Sequence, residues 1–127
     1  NHYAYGAIGD WLYRWAAGLQ EAAPGFREIR IKPYLNDHFT SMKAEQRTPY
    51  GLASSGWTKE GDALTLTVEI PANTTAEVYV PSAAADKVTE SGRALDGRSD
   101  LKVAGWDDGY TLVRLGSGRY EFRSTLK

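Results

Sequence analysis

The chain has 127 residues, 42% of them apolar, with 15 basic and 16 acidic side chains and no cysteine. Size and apolar content suit one ordinary domain with a buried core and argue against disorder, and the lack of thiols excludes disulfides and thiolate metal sites. A formal net charge of −1 gives no electrostatic reason to expect a nucleic acid or an anionic membrane as partner, and no apolar run approaches the roughly 20 residues of a membrane helix.

The first periodic segment runs from Tyr3 to about Leu19. Ala4, Ile8, Trp11, Leu12, Trp15 and Leu19 recur at spacings of three and four, the stripe of an α-helix. Its other faces carry Tyr3, Tyr5, Ala7, Tyr13, Ala16 and Ala17, and the only charges before Glu21 are Asp10 and Arg14. A helix apolar nearly all round requires neighbours on several sides. Gly6, Gly9 and Gly18 each cost roughly 1 kcal/mol against alanine inside a helix, so close approach of another backbone is the expected return. Pro24-Gly25 ends the segment. The chain opens directly on this pattern at Asn1-His2-Tyr3, without a methionine, and reads as cut from something longer. Neither this start nor the missing cysteines fixes a cytoplasmic or exported location.

From Phe26 the period becomes two. Glu28 to Lys32 alternates with Ile29 and Ile31 inward. Phe39 to Arg47 is a weaker strand, and Tyr50 to Lys59 another, followed by a turn at Glu60-Gly61-Asp62. Leu64, Leu66, Val68 and Ile70 alternate with Thr65, Thr67 and Glu69, the clearest strand pattern in the chain. After a loop at Pro71 to Thr75, Ala76, Val78 and Val80 form the return strand. Val88 centres a short strand before Ser91-Gly92. Residues Gly92 to Asp108 read as irregular, with turn signals at Asp96-Gly97 and Asp108-Gly109. Tyr110 to Leu115, the turn Gly116-Ser117-Gly118 and Arg119 to Ser124 read as a last hairpin. Seven or eight short strands joined by tight turns predict a mainly β chain: an antiparallel β-sandwich preceded by one N-terminal α-helix. Its expected core is Ile29, Ile31, Leu64, Leu66, Val68, Ile70, Val78, Val80, Tyr120 and Phe122.

Chemistry is sparse. The two histidines, His2 and His38, are far apart and no His or Cys metal-ligand spacing exists, so no transition-metal site and no cofactor are expected, while the sequence leaves calcium open. Asp107-Asp108 and the Glu60/Asp62 pair read as solvated turns; nothing sets two carboxyls across a cleft, as a glycosidase needs. Asn73-Thr74-Thr75 fits a glycosylation pattern and equally a polar loop. Arg27, Arg30 and Lys32 make a basic, solvated strand face. Trp57, Trp106, Tyr79 and Tyr110 could stack on sugar if two or more of them are coplanar and exposed on one face; otherwise they fill a core or its rim. His2 alone reads as a core histidine with one hydrogen bond.

The stretch Asn1-His2-Tyr3-Ala4-Tyr5-Gly6-Ala7-Ile8-Gly9-Asp10-Trp11-Leu12-Tyr13-Arg14 resembles the last barrel helix of bacterial α-L-rhamnosidases of glycoside hydrolase family 78. The resemblance continues through Ala17-Gly18-Leu19, Pro24-Gly25-Phe26, Ile29 to Pro33, Thr48-Pro49-Tyr50-Gly51, Trp57, Val68 to Val80, and Gly116 to Phe122. It implies a parent enzyme that removes terminal α-L-rhamnose with inversion, built from an α/α barrel followed by a C-terminal β-sandwich. Residues 1–22 would then be the terminal helix of a truncated catalytic barrel and residues 23–127 the sandwich. The catalytic glutamates would lie upstream, leaving no catalytic residue in this chain. His2, matching the family's Asn-His motif, would contact substrate in the intact enzyme. The implied partners are rhamnose-containing glycosides or polysaccharides, the catalytic barrel of the same polypeptide, and a second copy of this chain through an exposed helix stripe. The rival reading is a carbohydrate-binding module using surface aromatics.

Overall fold

A computed structural model describes residues 17–127. They form eleven strands: β1 (Leu19–Glu21), β2 (Glu28–Ile31), β3 (Ser41–Thr48), β4 (Gly51–Glu60), β5 (Ala63–Ile70), β6 (Thr75–Pro81), β7 (Val88–Glu90), β8 (Arg93–Ala94), β9 (Leu101–Asp107), β10 (Tyr110–Leu115) and β11 (Gly118–Thr125). Two single 3-10 turns lie at Pro24–Phe26 and Ala85–Lys87. One sheet has the order β1-β2-β6-β10-β9, and the other β3-β4-β5-β11-β7-β8. Every pairing is antiparallel except that of β2 with β6.

The inner faces of both sheets meet in one apolar cluster. Period-two alternation decides which side chains enter it. On β5, Leu64, Leu66, Val68 and Ile70 are buried, while Thr65, Thr67 and Glu69 turn outward. Ile29, Ile31, Val78, Val80, Val113, Trp57 and Phe122 are buried to within 1% of completely, and all ten expected core residues are buried. Tyr120 and Phe122 stack, with ring centroids 6.3 Å apart and planes at 16°.

Three expectations change. Val78 and Val80 do not return beside β5: β6 crosses to the other sheet and pairs with β10 and β2. Likewise β10 and β11 are not a hairpin, because Gly116-Ser117 carries the chain from one sheet to the other. A short connection rich in turn residues serves a crossing as well as a reversal. Finally, the region expected to be irregular contains β8 and the seven-residue β9, an edge strand mostly exposed and bulged opposite Leu112/Val113. Its exposure removes the alternation that marks a half-buried strand.

The expected N-terminal helix lies outside the described residues over positions 3–16. Ala17 has helical backbone and Gly18 is left-handed at φ 81°. Leu19, expected as the last residue of the helical stripe, instead opens β1 opposite Ile31.

Candidate functional site

The densest group of charges among the described residues sits where β7, β8 and β11 meet the loop before β9. Val88 to Glu90 alternates like any strand, yet the inward position after Val88 is occupied by Glu90, whose side chain is 4% exposed. A buried carboxylate needs donors, and Glu90 has them. Arg98 Nη2 donates to Oε1 at 2.8 Å, Ser91 Oγ to Oε2 at 2.5 Å, and the Glu121 N–H to Oε2 at 3.0 Å. Arg98, itself 8% exposed, also forks onto Asp100, with Nε to Oδ1 at 2.9 Å and Nη2 to Oδ2 at 2.7 Å. Burial alone would raise the Glu90 carboxyl, but the bonds from Ser91, Arg98 and Glu121 outweigh it and hold it below its ordinary value. The Asp100 carboxyl is lowered, chiefly by its bond from Arg98. Tyr120 beside the cluster is raised, by burial first and then by the two acids.

Two carboxylates around one guanidinium are not a general acid and base. Glycoside hydrolysis needs one carboxyl that keeps its proton and one that does not, facing each other across room for a water and a sugar. Here both are held ionised and both are spent on the same arginine, so the arrangement is a pin fixing the loop at Arg98 to β7 and β11.

The four aromatics do not converge. Trp57 is 1% exposed, in the core. Trp106 is 46% exposed on β9 and donates Nε1–H to the Ser82 carbonyl at 3.0 Å. Tyr79 and Tyr110 meet edge to face at 84°, with the Lys32 ammonium 5.1 Å from both ring centroids and the Arg30 guanidinium 6.0 Å from Tyr79. Arg30 and Lys32, two of the three basic residues expected on this face, thus lie over aromatic rings. Tyr110 Oη also donates to the Pro33 carbonyl at 2.9 Å. No two of the four give a coplanar exposed surface, so the condition for an aromatic sugar platform is not met.

Other expected positions are turns. Asp108 and Gly109, at φ 50° and 86°, make the two-residue connection from β9 to β10. Gly61-Asp62 joins β4 to β5, with Glu60 exposed beside it. In the Asn73-Thr74 turn, Thr74 Oγ1 donates to the Ala72 carbonyl at 3.1 Å. His38 is exposed, and Asn1, His2 and Asp10 lie outside the described residues. Among the described residues no three His, Asp or Glu side chains are grouped as a metal would require. An open depression of about 950 Å³ on the outer face of β3, β4, β5 and β11 has a floor of Ser54, Gly56, Thr65 and Thr67. The ion pairs Lys43–Glu45 (3.5 Å) and Arg119–Glu69 (2.9 Å) border it, making it a wet sheet face of mixed charge.

Residues 18–95 match the family described as the bacterial alpha-L-rhamnosidase C-terminal domain. The chain is 33% identical over 124 residues to an alpha-L-rhamnosidase of Formosa agariphila, covering 98% of this chain and 13% of that protein. It is 33% identical over 122 residues to an alpha-L-rhamnosidase of Streptomyces avermitilis, covering 96% of this chain and 11% of that protein. The crystal structure of a Streptomyces avermitilis alpha-L-rhamnosidase complexed with L-rhamnose superposes with a TM-score of 0.81 at 31% identity, over 98% of this chain and 11% of that one. The chain thus spans 11% to 13% of the length of these relatives.

Proposed function

The chain belongs to the bacterial alpha-L-rhamnosidase C-terminal domain family, and from that premise we propose that it is the supporting sandwich of an inverting enzyme that removes terminal α-L-rhamnose. In this reading the residues up to Ala17 are the last helix of the catalytic barrel, and the sandwich follows. The pairing of Leu19–Glu21 with β2 favours a division at Gly18 over one after Ala22. His2 contacts the rhamnose in the intact enzyme, where a neutral imidazole can donate or accept a single hydrogen bond to a sugar hydroxyl. The catalytic acid and base lie elsewhere in the polypeptide. A stripe of Trp11, Leu12, Trp15 and nearby apolar residues, separated from its barrel, would pair two copies of the chain.

The observation that carries this reading is the Glu90–Arg98–Asp100 cluster. There a buried carboxylate, Glu90, and a half-exposed one, Asp100, share one arginine, and both are committed to structure. The test compares the 127-residue chain with the longer polypeptide containing it, using an aryl α-L-rhamnoside. Turnover with inversion by the longer protein alone is the expected result. Hydrolysis by the 127-residue chain, or a longer protein that acts on another sugar, overturns it. A His2→Ala change in the longer protein should raise KM; an unchanged KM removes His2 from the site.

A further inference from the structure

Ser55 interrupts the inward face of β4. Its neighbours on that face are the buried Ala53 and Trp57, and Ser55 is itself 0% exposed. A hydroxyl in such a place is costly unless hydrogen-bonded. Its bond leaves both sheets: Oγ donates to the Ala17 carbonyl at 2.8 Å, across 38 residues of sequence. Ala17 is also 0% exposed.

The local backbone explains why that carbonyl needs a donor. Ala17 is helical and Gly18 has φ 81°, the sequence of conformations that ends a helix, where the last carbonyls have no partner within it. The Gly18 carbonyl is met by the Lys32 N–H at 2.9 Å. A Cβ on Gly18 would lie 2.2 Å from the Lys32 carbonyl carbon and oxygen, so only glycine fits there. Leu19, 4% exposed, then enters β1.

We propose that Ala17, Gly18, Lys32 and Ser55 form a clasp for a helix C-terminus, with Ser55 as capping donor. The clasp makes the sandwich hold the segment ending at Ala17 in one orientation rather than merely trail from it. Its occupant is this chain's own residues 3–17, and the proposal rests on their helical reading but not on any enzymatic activity. A helix of that length is roughly 20 Å long, so a tilt of about 10° at the clasp displaces its far end by a few ångströms. Ser55 is thus a positioning residue for whatever the far end carries.

The test is amide hydrogen exchange by NMR on the 127-residue chain. Amides from residue 14 to Leu19 should be protected to the level of β4 and β5. Ser55→Ala should lower that protection on the order of tenfold, as for one buried hydrogen bond, and lower β5 and β11 less. Ser55→Cys, similar in size with a weak donor, should give the same selective loss if the alanine variant does not fold. Ser124→Ala removes a comparable bond, from Ser124 Oγ to the Pro81 carbonyl at 2.6 Å, and should not single out residues 14–19. Helical chemical shifts over residues 3–17 with free exchange at 14–19, or an equal loss everywhere in Ser55→Ala, overturn the clasp. Non-helical shifts over residues 3–17 overturn the helical reading on which it rests.

Discussion

Strands β5 and β11 and the stretch from β7 to β9 lie in one sandwich but are fixed by different physics. β5 and β11 pair along eight residues, and each places its apolar set into the core by alternation alone. From β7 to β9 the strands are short or exposed, and a buried ion cluster supplies what the apolar side chains do not. Apolar burial is insensitive to pH and needs no particular partner. An ion cluster is directional, depends on protonation, and fails if one member is lost.

The largest expected effect lies in the apolar region. Phe122→Ala removes a ring that is 0% exposed and should cost about 3–5 kcal/mol, at neutral and acid pH alike. Chemical denaturation at both pH values checks it. Next is Arg98→Met, which strands the Glu90 carboxylate in the interior with only the Ser91 and Glu121 donors. Its loss of stability should be greatest at neutral pH and shrink as acid protonates Glu90. Equal losses at pH 7 and pH 4 would mean that the cluster is no more than packing.

In the unaltered protein the sign is opposite. Glu90 and Asp100 have folded values below their reference values of 4.5 and 3.8. Their contribution is complete above those values and is lost as pH falls through the lower folded ones. Denaturation midpoints should therefore fall below about pH 4.5, and exchange protection in β7 to β9 should fail before that in β5 and β11. The smallest effect is at the exposed edge: Trp106→Phe removes the bond to the Ser82 carbonyl and should cost about 1 kcal/mol. A larger cost would show that β9 depends on that single bond.

The same contrast decides what could be read from sequence. β2, β5 and β6 are legible because one face of each is buried, and alternation records burial. β9 is not, since Lys102, Ala104, Gly105 and Trp106 carry no such record on an exposed edge. Pairing is harder still. Nothing in Pro71–Thr74 or Gly116-Ser117 distinguishes a reversal within a sheet from a crossing to the other. The ion cluster is hidden because Glu90, Arg98 and Asp100 look like ordinary surface residues until the loop folds over them. Ser55 left one trace, a hydroxyl at an inward position between Ala53 and Trp57. Gly18 left another, since the expected close approach of a second backbone is that of Lys32.

The parallel pairing of β2 with β6 bears on the order in which the molecule folds. The six-stranded sheet begins with a meander, β3 to β5, whose partners are neighbours in sequence and can close within a short length of chain. The other sheet centres on β6, which takes one neighbour from Glu28–Ile31 and the other from Tyr110–Leu115. Such distant pairings form slowly, because the loop must close before the contacts reward it. On a ribosome the meander is complete while β10 has not yet been made, so β6 waits with one side open until Tyr110–Leu115 emerges. Refolding should show the same order, with substitutions in the β4–β5 turn slowing folding and those in β9 mainly speeding unfolding.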